Sequence, residues 1–411
     1  MILKTSRANL SSNDQLALDL PFAATKSLTA RVGPTPTFTR ASSGTFIGSD
    51  GLIQTAATNT PRFDHTSAGV CRGLLIEESR TNLWSASEEL GVSPWLPTNT
   101  TTVNLNNATA PDGLTTADRL TVGSTTQEYG FFRNTFSFVS GTAYSISFFF
   151  KANQITRVNI TAGNTTLLPI NAIFDLTGSG SIIGTPTGTA AIQQLTNGWY
   201  RCSVSATALS SGITSIRVAP VSGTSTNYPG NSVDSFWAWG AQLEAGSLAT
   251  SYIPTTTGSV VRSADVCSIA NTAPFWNSSE FTLLTNANIA ISGIEAYSSN
   301  FNITSGFFGT RRQNSNSVTA IIRSSAVNAD FTLGSLATGS LRTALAHSTG
   351  QQAGSLNGGN VIQQNSAFVP SSNPPFNIGF SGSGAYTNGH IAAIRYYRKR
   401  LPNAKLQALT A

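Results

Sequence analysis

Charge is what this sequence has least of. Asp, Glu, Lys and Arg make up 10% of its 411 residues, against about 25% in a typical soluble domain. The net charge is +6, yet the basic residues are scattered, and the one tight run is Arg395, Arg398, Lys399 and Arg400. Without a continuous stripe of Lys and Arg to follow a phosphate backbone, no nucleic-acid partner is expected. A basic balance still suits an acidic partner such as a bacterial envelope glycan. Cysteine is almost as scarce. Cys71, Cys202 and Cys267 are odd in number and far apart, which fits neither a disulfide framework nor a zinc site. They read as small buried hydrophobes in a protein assembled in a reducing cytoplasm. No apolar run approaches the ~18 residues that span a bilayer, and the first residues, MILKTSRANLSSNDQ, lack the apolar centre of a signal peptide. No membrane insertion is expected. Heptads and short-period repeats are missing too, which argues against a thread-like shaft and for a globular knob.

Thr, Ser, Asn and Gly take the place of the missing charge, with 40% hydrophobic residues between them. Short polar side chains suit turns and the solvent face of strands and are weak helix formers. Leu16–Leu20 alternates as a strand that Pro21 stops, and Ser49-Asp50-Gly51 is a tight turn between short strands. Tyr144–Phe150 alternates and then runs apolar, as sandwich strands do. Asn197-Gly198 is a turn that opens a strand from Trp199, and Ser235–Glu244 and His390–Tyr397 are further strands. Near the end, Pro402 fits a helix start, Asn403 a cap, and Leu406 and Leu409 share one face. The fold class is all-β: tandem β-sandwiches, a jelly roll followed by a lectin-like sandwich, with an N-terminal β-rich region and a short C-terminal helix. The expected division is 1–83, 84–260 and 261–411, with Leu16–Leu20 a candidate to fold back onto the third unit.

Three stretches carry a resemblance. The block from Thr37 to Leu83, TFTRASSGTFIGSDGLIQTAATNTPRFDH…GLLIEESRTNL, closely resembles a block of tailed-bacteriophage virion proteins, found in tail fibres and head-spike fibres. The middle of the chain, through NGWYR and WGAQLEAG…TSYIPT, resembles the jelly-roll carbohydrate-binding modules of phage fibres. The last strand and helix are similar to the end of concanavalin-like lectin folds. The resemblance implies a structural protein of the virion surface, a tail or head fibre or spike made in the host cytoplasm. Its N-terminal region would dock on other virion proteins, and it would form a homo-oligomer, most plausibly a trimer, that meets host-surface glycans. Release by lysis would make a secretion signal unnecessary.

Catalytic constellations are thin, and no enzymatic activity is expected. Asp64 and His65 are adjacent, but a triad needs a distinguishable nucleophile. Glycoside hydrolysis needs two facing carboxyl groups. Glu77-Glu78 and Glu88-Glu89 are neighbours, so within a strand each pair points to opposite faces, and Glu128, Asp234 and Glu244 are scattered. Glu77, Glu78 and Arg80 read instead as ion pairs locking the N-terminal block to the second unit. Sugar rings stack on Trp and Tyr beside polar side chains, which makes Trp95, Trp237, Trp239, Tyr386 and Asn388 the candidate ligand residues. Trp199 and Trp276 are further aromatic candidates, although Trp199 reads as a structural core position. For any large aromatic, core packing is the default alternative. No cofactor is expected; Asp112, Asp118 and Asp234 leave room for a structural Ca2+, without the regular acidic spacing of a dedicated loop. Two other readings stay open: a particle decoration or assembly protein with no host ligand, and a capsule depolymerase.

Overall fold

Alternating small polar and large apolar residues place one face of each strand in a core. In the middle of the chain the runs Ala143–Ala152, Trp199–Thr207 and Ser235–Ala245 pair side by side, antiparallel. The computed structural model describes residues 15–289, 296–303, 306–313, 315–323, 329–366, 374–381 and 385–411. Among them, the protein is all-β apart from short helical pieces, of which Asn403–Thr410 is the longest.

The three central strands belong to a six-stranded sheet flanked by Thr189–Gln194 on one side and by Ala117–Thr121 and Thr102–Ala108 on the other. A second six-stranded sheet contains Ser181–Thr187, Asn171–Asp175, Arg157–Ala162, Gly212–Pro220, Phe131–Phe138 and Leu96–Pro97. Phe148, Phe150, Val204 and Phe236 from the first sheet meet Phe131, Ile160 and Val218 from the second in one apolar core. Gly240 has φ +66° and breaks the alternation of Ser235–Ala245. As a result Trp237 and Trp239 before it, and Gln242 and Glu244 after it, all lie on the outer side of the sheet.

The other sandwich has an eight-stranded sheet facing a seven-stranded one, and the 1–83 block supplies strands to both. Leu16–Leu20 is a strand, as its alternation and the stop at Pro21 suggest, and it folds back to pair with Gly389–Tyr397, as expected of a terminal strand in this class of fold. Cys71–Ile76 extends the same sheet, pairing with Gly389–Ile391. Thr37–Thr39 pairs with Val266–Ile269 in the opposite sheet. A Cβ on Gly73 would lie 2.2 Å from the Ile391 carbonyl oxygen, and φ +118° there further demands glycine. The jelly roll is therefore an insertion. The chain enters it through Arg80–Asn82 and leaves it through Val260–Arg262, and these two short strands pair with each other. Asn82 staples this neck: its amide donates to the carbonyls of Ala241 and Ile253 and accepts from the Trp84 and Leu243 N–H groups.

Two sequence readings are corrected here. Strand pairing does not divide the chain at residue 83: Leu16–Leu20, Thr37–Thr39, Phe63–His65 and Cys71–Ile76 belong to the sheets of the C-terminal sandwich, while the hairpin of Gly44–Ile47 and Ile53–Ala56 packs on the jelly roll. Nor does Asn403 cap the last helix, because its side chain accepts instead from Arg400 Nη2, at 2.6 Å. Leu406 is fully buried against Ala344, Ala346 and Tyr397, with Leu409 packed beside it, as the shared face suggests.

Candidate functional site

Where the two sandwiches meet, the few charges of the chain are concentrated. Arg40, Arg62, Arg262, Glu77 and Asp265 are all buried. Asp265 accepts from Arg40 at 3.1 Å, Arg62 at 2.5 Å and the Glu77 N–H at 2.9 Å. Glu77 pairs with Arg62 at 2.8 Å and Arg262 at 3.5 Å, and accepts from the N–H and hydroxyl of Ser251 in the jelly-roll unit. Glu78 pairs with Arg80, whose guanidinium reaches the Ala245 carbonyl. Glu77 and Arg80 thus reach the jelly roll through hydrogen bonds to Ser251 and the Ala245 carbonyl, while the ion pairs expected to lock the two units run instead to Arg62, Arg262 and between Glu78 and Arg80. Burial alone would raise the Glu77 carboxyl, but Arg262 and Arg62, with Ser251, hold it well below the usual carboxylate range.

Beside this cluster the outer face of the Thr189–Ser235 sheet divides in two. One half is apolar: Phe149, Trp199, Trp239 and Tyr252 pack under Ile53 and Leu195. The hairpin of Gly44–Ile47 and Ile53–Ala56, turned at Asp50 and Gly51, supplies part of the cover. The other half is polar, because alternation puts Ser145 and Ser147, Arg201, Ser203 and Ser205, and Thr189 and Gln193 on that face. The segment Ser247–Tyr252 crosses it, tied down where the Ser145 hydroxyl donates to the Leu248 carbonyl at 2.6 Å.

Two clefts remain on either side of that segment, sharing Gln193, Arg201, Leu248 and Ala249 in their walls. The larger, about 320 Å3, is lined by Ser203, Ser205, Thr189 and, from the C-terminal sandwich, Thr338. The smaller, about 160 Å3, reaches inward to Asp64, Arg72, Glu77 and His390. Together they form a groove with a hydroxyl- and amide-lined floor.

At its inner end Asp64 Oδ2 lies 2.8 Å from His390 Nε2, while Oδ1 accepts from the Ile47 N–H at 2.6 Å. Adjacent Asp64 and His65 do not pair, since His65 Nδ1 meets the Ile47 carbonyl. His390, which reads as isolated in the sequence, is the partner, brought 326 residues along the chain by strand pairing. The other ring nitrogen of His390 is buried with no hydrogen-bond partner. Among the described residues no hydroxyl or thiol is hydrogen-bonded to this pair.

The sequence candidates do not gather at one place. Trp95 is fully buried, with ring centroids 5.1 Å from Trp84 and 5.6 Å from Phe131, and its Nε1 donates to the Ala86 carbonyl. No face of it is open to a ligand, so the core alternative holds there. Trp199 is likewise a core residue, as its sequence context suggests, and Trp276 is buried against Phe281 and Tyr396. Trp237 and Trp239 share the outer face, as their spacing of two requires. Trp239 is covered, donating to Thr116 Oγ1, whereas Trp237 is partly exposed with Lys151 Nζ 5.8 Å from its ring centre. Tyr386 stacks on Phe380 in the other sandwich. Asn388 lines the smaller cleft, with its side chain bridging to the N–H and carboxylate of Glu78. Sequence reading passed over Arg201, Ser203 and Gln193. Their signal was the period-two pattern of Arg201, Ser203 and Ser205 within a strand whose alternate residues are apolar.

Among the described residues no three His, Cys, Asp or Glu side chains could hold a metal ion together. Of the Ca2+ candidates, Asp112 accepts from the Leu114 N–H within its own turn. Asp118 accepts from the Leu90 and Asn106 N–H groups, and burial pushes its carboxyl up to about 6. A folded value above the unfolded ~3.9 means that the unfolded chain loses its proton first. The Asp118 contribution to stability is therefore expected to fall as pH rises from about 4 to about 6. Carboxyl titration by NMR checks the midpoint, and a midpoint near 4 would contradict it.

No family model matches the chain, and no curated protein matches it. Among solved structures, it is similar to the Ruminococcus gnavus IT-sialidase CBM40 bound to α2,6-sialyllactose. The identity is 14% over 32% of this chain and 84% of that one, with a TM-score of 0.29. It is also similar to the N-terminal CBM22-1-CBM22-2 tandem domain of Paenibacillus barcinonensis Xyn10C (10% identity, 77% and 94% covered, TM-score 0.26). A third is Trypanosoma rangeli sialidase in complex with the inhibitor DANA (9% identity, 72% and 60% covered, TM-score 0.29). Likenesses this loose carry no argument about the site.

Proposed function

We propose that the chain is a non-enzymatic glycan-binding protein of a bacteriophage particle, a tail or head fibre or spike that takes host-surface glycan into the groove beside Arg201. The observation that carries the binding role is the polar half of the jelly-roll face. The side chains of Thr189, Gln193, Ser203 and Ser205 line the clefts, and among the described residues none of them has a hydrogen-bond partner. Hydroxyl and amide groups left unspent on a rigid sheet suit the hydroxyls of a sugar, and a site held on strands keeps its geometry. Partly exposed Trp237, farther along the same face, offers a ring for an apolar sugar face. That no hydroxyl or thiol among the described residues is hydrogen-bonded to the Asp64–His390 pair favours binding over hydrolysis. The virion assignment rests on the resemblance of Thr37–Leu83 to phage fibre proteins, and a homotrimer would raise weak single-site affinity through avidity.

Ser203→Trp fills the groove from its floor, on the outer side of a strand and away from the core. Binding to host cells and to a glycan array is expected to fall about tenfold or more, with the melting temperature unchanged. Host binding by the wild-type chain that Ser203→Trp leaves intact would move the site elsewhere. Intact phage adsorption without the protein, accompanied by fragile particles, would favour a decoration role instead.

A further inference from the structure

The groove carries two arginines, Arg201 and Arg72, that make no ion-pair contact among the described residues. Its carboxylates are spoken for: Asp64 by His390, Glu77 by Arg62 and Arg262. Glu244, beneath the crossing segment, accepts from Gln242 and from the N–H and hydroxyl of Thr250, and interacts with Arg201 electrostatically without an ion-pair contact. Among the described residues Arg201 forms no ion pair; its Nη2 donates to Ser147 at 3.0 Å, while its Nε is buried with no hydrogen-bond partner. It is held flat by Phe149, with the guanidinium carbon 5.3 Å from the ring centre, and it stands in the wall of both clefts. Arg72 lines the smaller cleft with no side-chain hydrogen bond or ion pair among the described residues. A desolvated guanidinium with an unmade donor is costly unless something meets it. Its planar fork matches a carboxylate or a phosphate better than a neutral hydroxyl.

We infer that the groove selects glycans bearing an anionic group, a carboxylate or phosphate on the sugar, which Arg201 receives with Arg72 as the second cation. The inference rests on the glycan-binding reading and narrows it to a substrate class. The surrounding Ser203, Ser205, Thr189 and Gln193 then hold the sugar hydroxyls, so that charge and ring are recognised by different walls. The charged contact is sensitive to salt and the neutral ones are not.

The test is calorimetric titration of the full chain at low and high salt with three probes: an oligogalacturonate, a glycerol-phosphate oligomer and a neutral malto-oligosaccharide. One or both anionic probes are expected to bind about tenfold or more tighter than the neutral one, with a preference that shrinks at high salt. Which anionic probe wins distinguishes carboxylate from phosphate. Arg201→Gln and Arg72→Gln should each abolish most of that preference, and Arg201→Lys should keep only part of it. Equal binding of all three probes, or a preference untouched by both Gln variants, overturns the inference and leaves the glycan-binding reading standing. Binding of no probe, and of no glycan on an array, overturns both. Melting curves of each variant separate a lost contact from a lost fold.

Discussion

Asp265→Ala is expected to destabilise the protein by about 3–5 kcal/mol, because it strands buried guanidinium groups without their counter-charge. Asp265 is fully buried and receives Arg40, Arg62 and the Glu77 N–H, with Arg262 4.0 Å away. With the carboxylate gone, only Glu77 remains for these cations, and Arg40 keeps only carbonyl partners. Calorimetry should show the melting point fall by about 6–20 °C, taking about 2–4 °C per kcal/mol for units of this size. A loss below about 1 kcal/mol would mean that water reaches the cluster. Glu77→Gln tests the same network through pH. Because the Glu77 carboxyl is held below its unfolded value of about 4.3, its stabilisation is present above that pH and is lost as pH falls further. The variant is therefore less stable at neutral pH, and the gap should narrow in acid.

Trp95→Ala is expected to cost about 3–5 kcal/mol, the usual range for deleting a buried indole. Trp95 joins Trp84, Phe131 and Phe148 in a set of mostly edge-to-face contacts, and the Arg133 guanidinium carbon stands 5.2 Å from its ring centre. Its loss leaves a cavity between the two sheets of the jelly roll and leaves the Ala86 carbonyl with only the 3.4 Å bond from the Glu89 N–H. Trp237→Ala is the control: a partly exposed ring on the outer face should cost less than about 1 kcal/mol. Urea titration of the two variants decides it. Similar losses for both would mean that the burial distinguishing them does not control stability.

The contrast between these two tryptophans shows what the sequence could and could not disclose. Spacing of two placed Trp237 and Trp239 on one face, and alternation predicted the strands at Tyr144, Trp199 and Ser235. Both are local properties. Whether that face is core or surface depends on what covers it, and the cover comes from the Gly44–Ala56 hairpin, far away in the chain. Leu16–Leu20 was legible as a strand because Pro21 ends it, whereas the insertion of the jelly roll was not. Only the pairing of Leu16–Leu20 and Cys71–Ile76 with Gly389–Tyr397, and of Thr37–Thr39 with Val266–Ile269, reveals that residues on both sides of it build one sandwich. His390 looked solitary for the same reason. Arg201 was hidden differently: one arginine in an ordinary strand carries no signal until the carboxylates around it are seen to be taken.

The central claim is that ligand enters the groove on the outer face of the jelly roll. Backbone hydrogen exchange of the intact protein, with and without a purified bacterial envelope polysaccharide, tests this most directly. Slowed exchange is expected in Thr189–Gln194, Trp199–Thr207 and the Ser247–Tyr252 crossing segment, with little change around Trp95 or in the Asn403–Thr410 helix. Protection centred on the Phe380–Tyr386 stack, or none anywhere with polysaccharide demonstrably bound, would contradict the account.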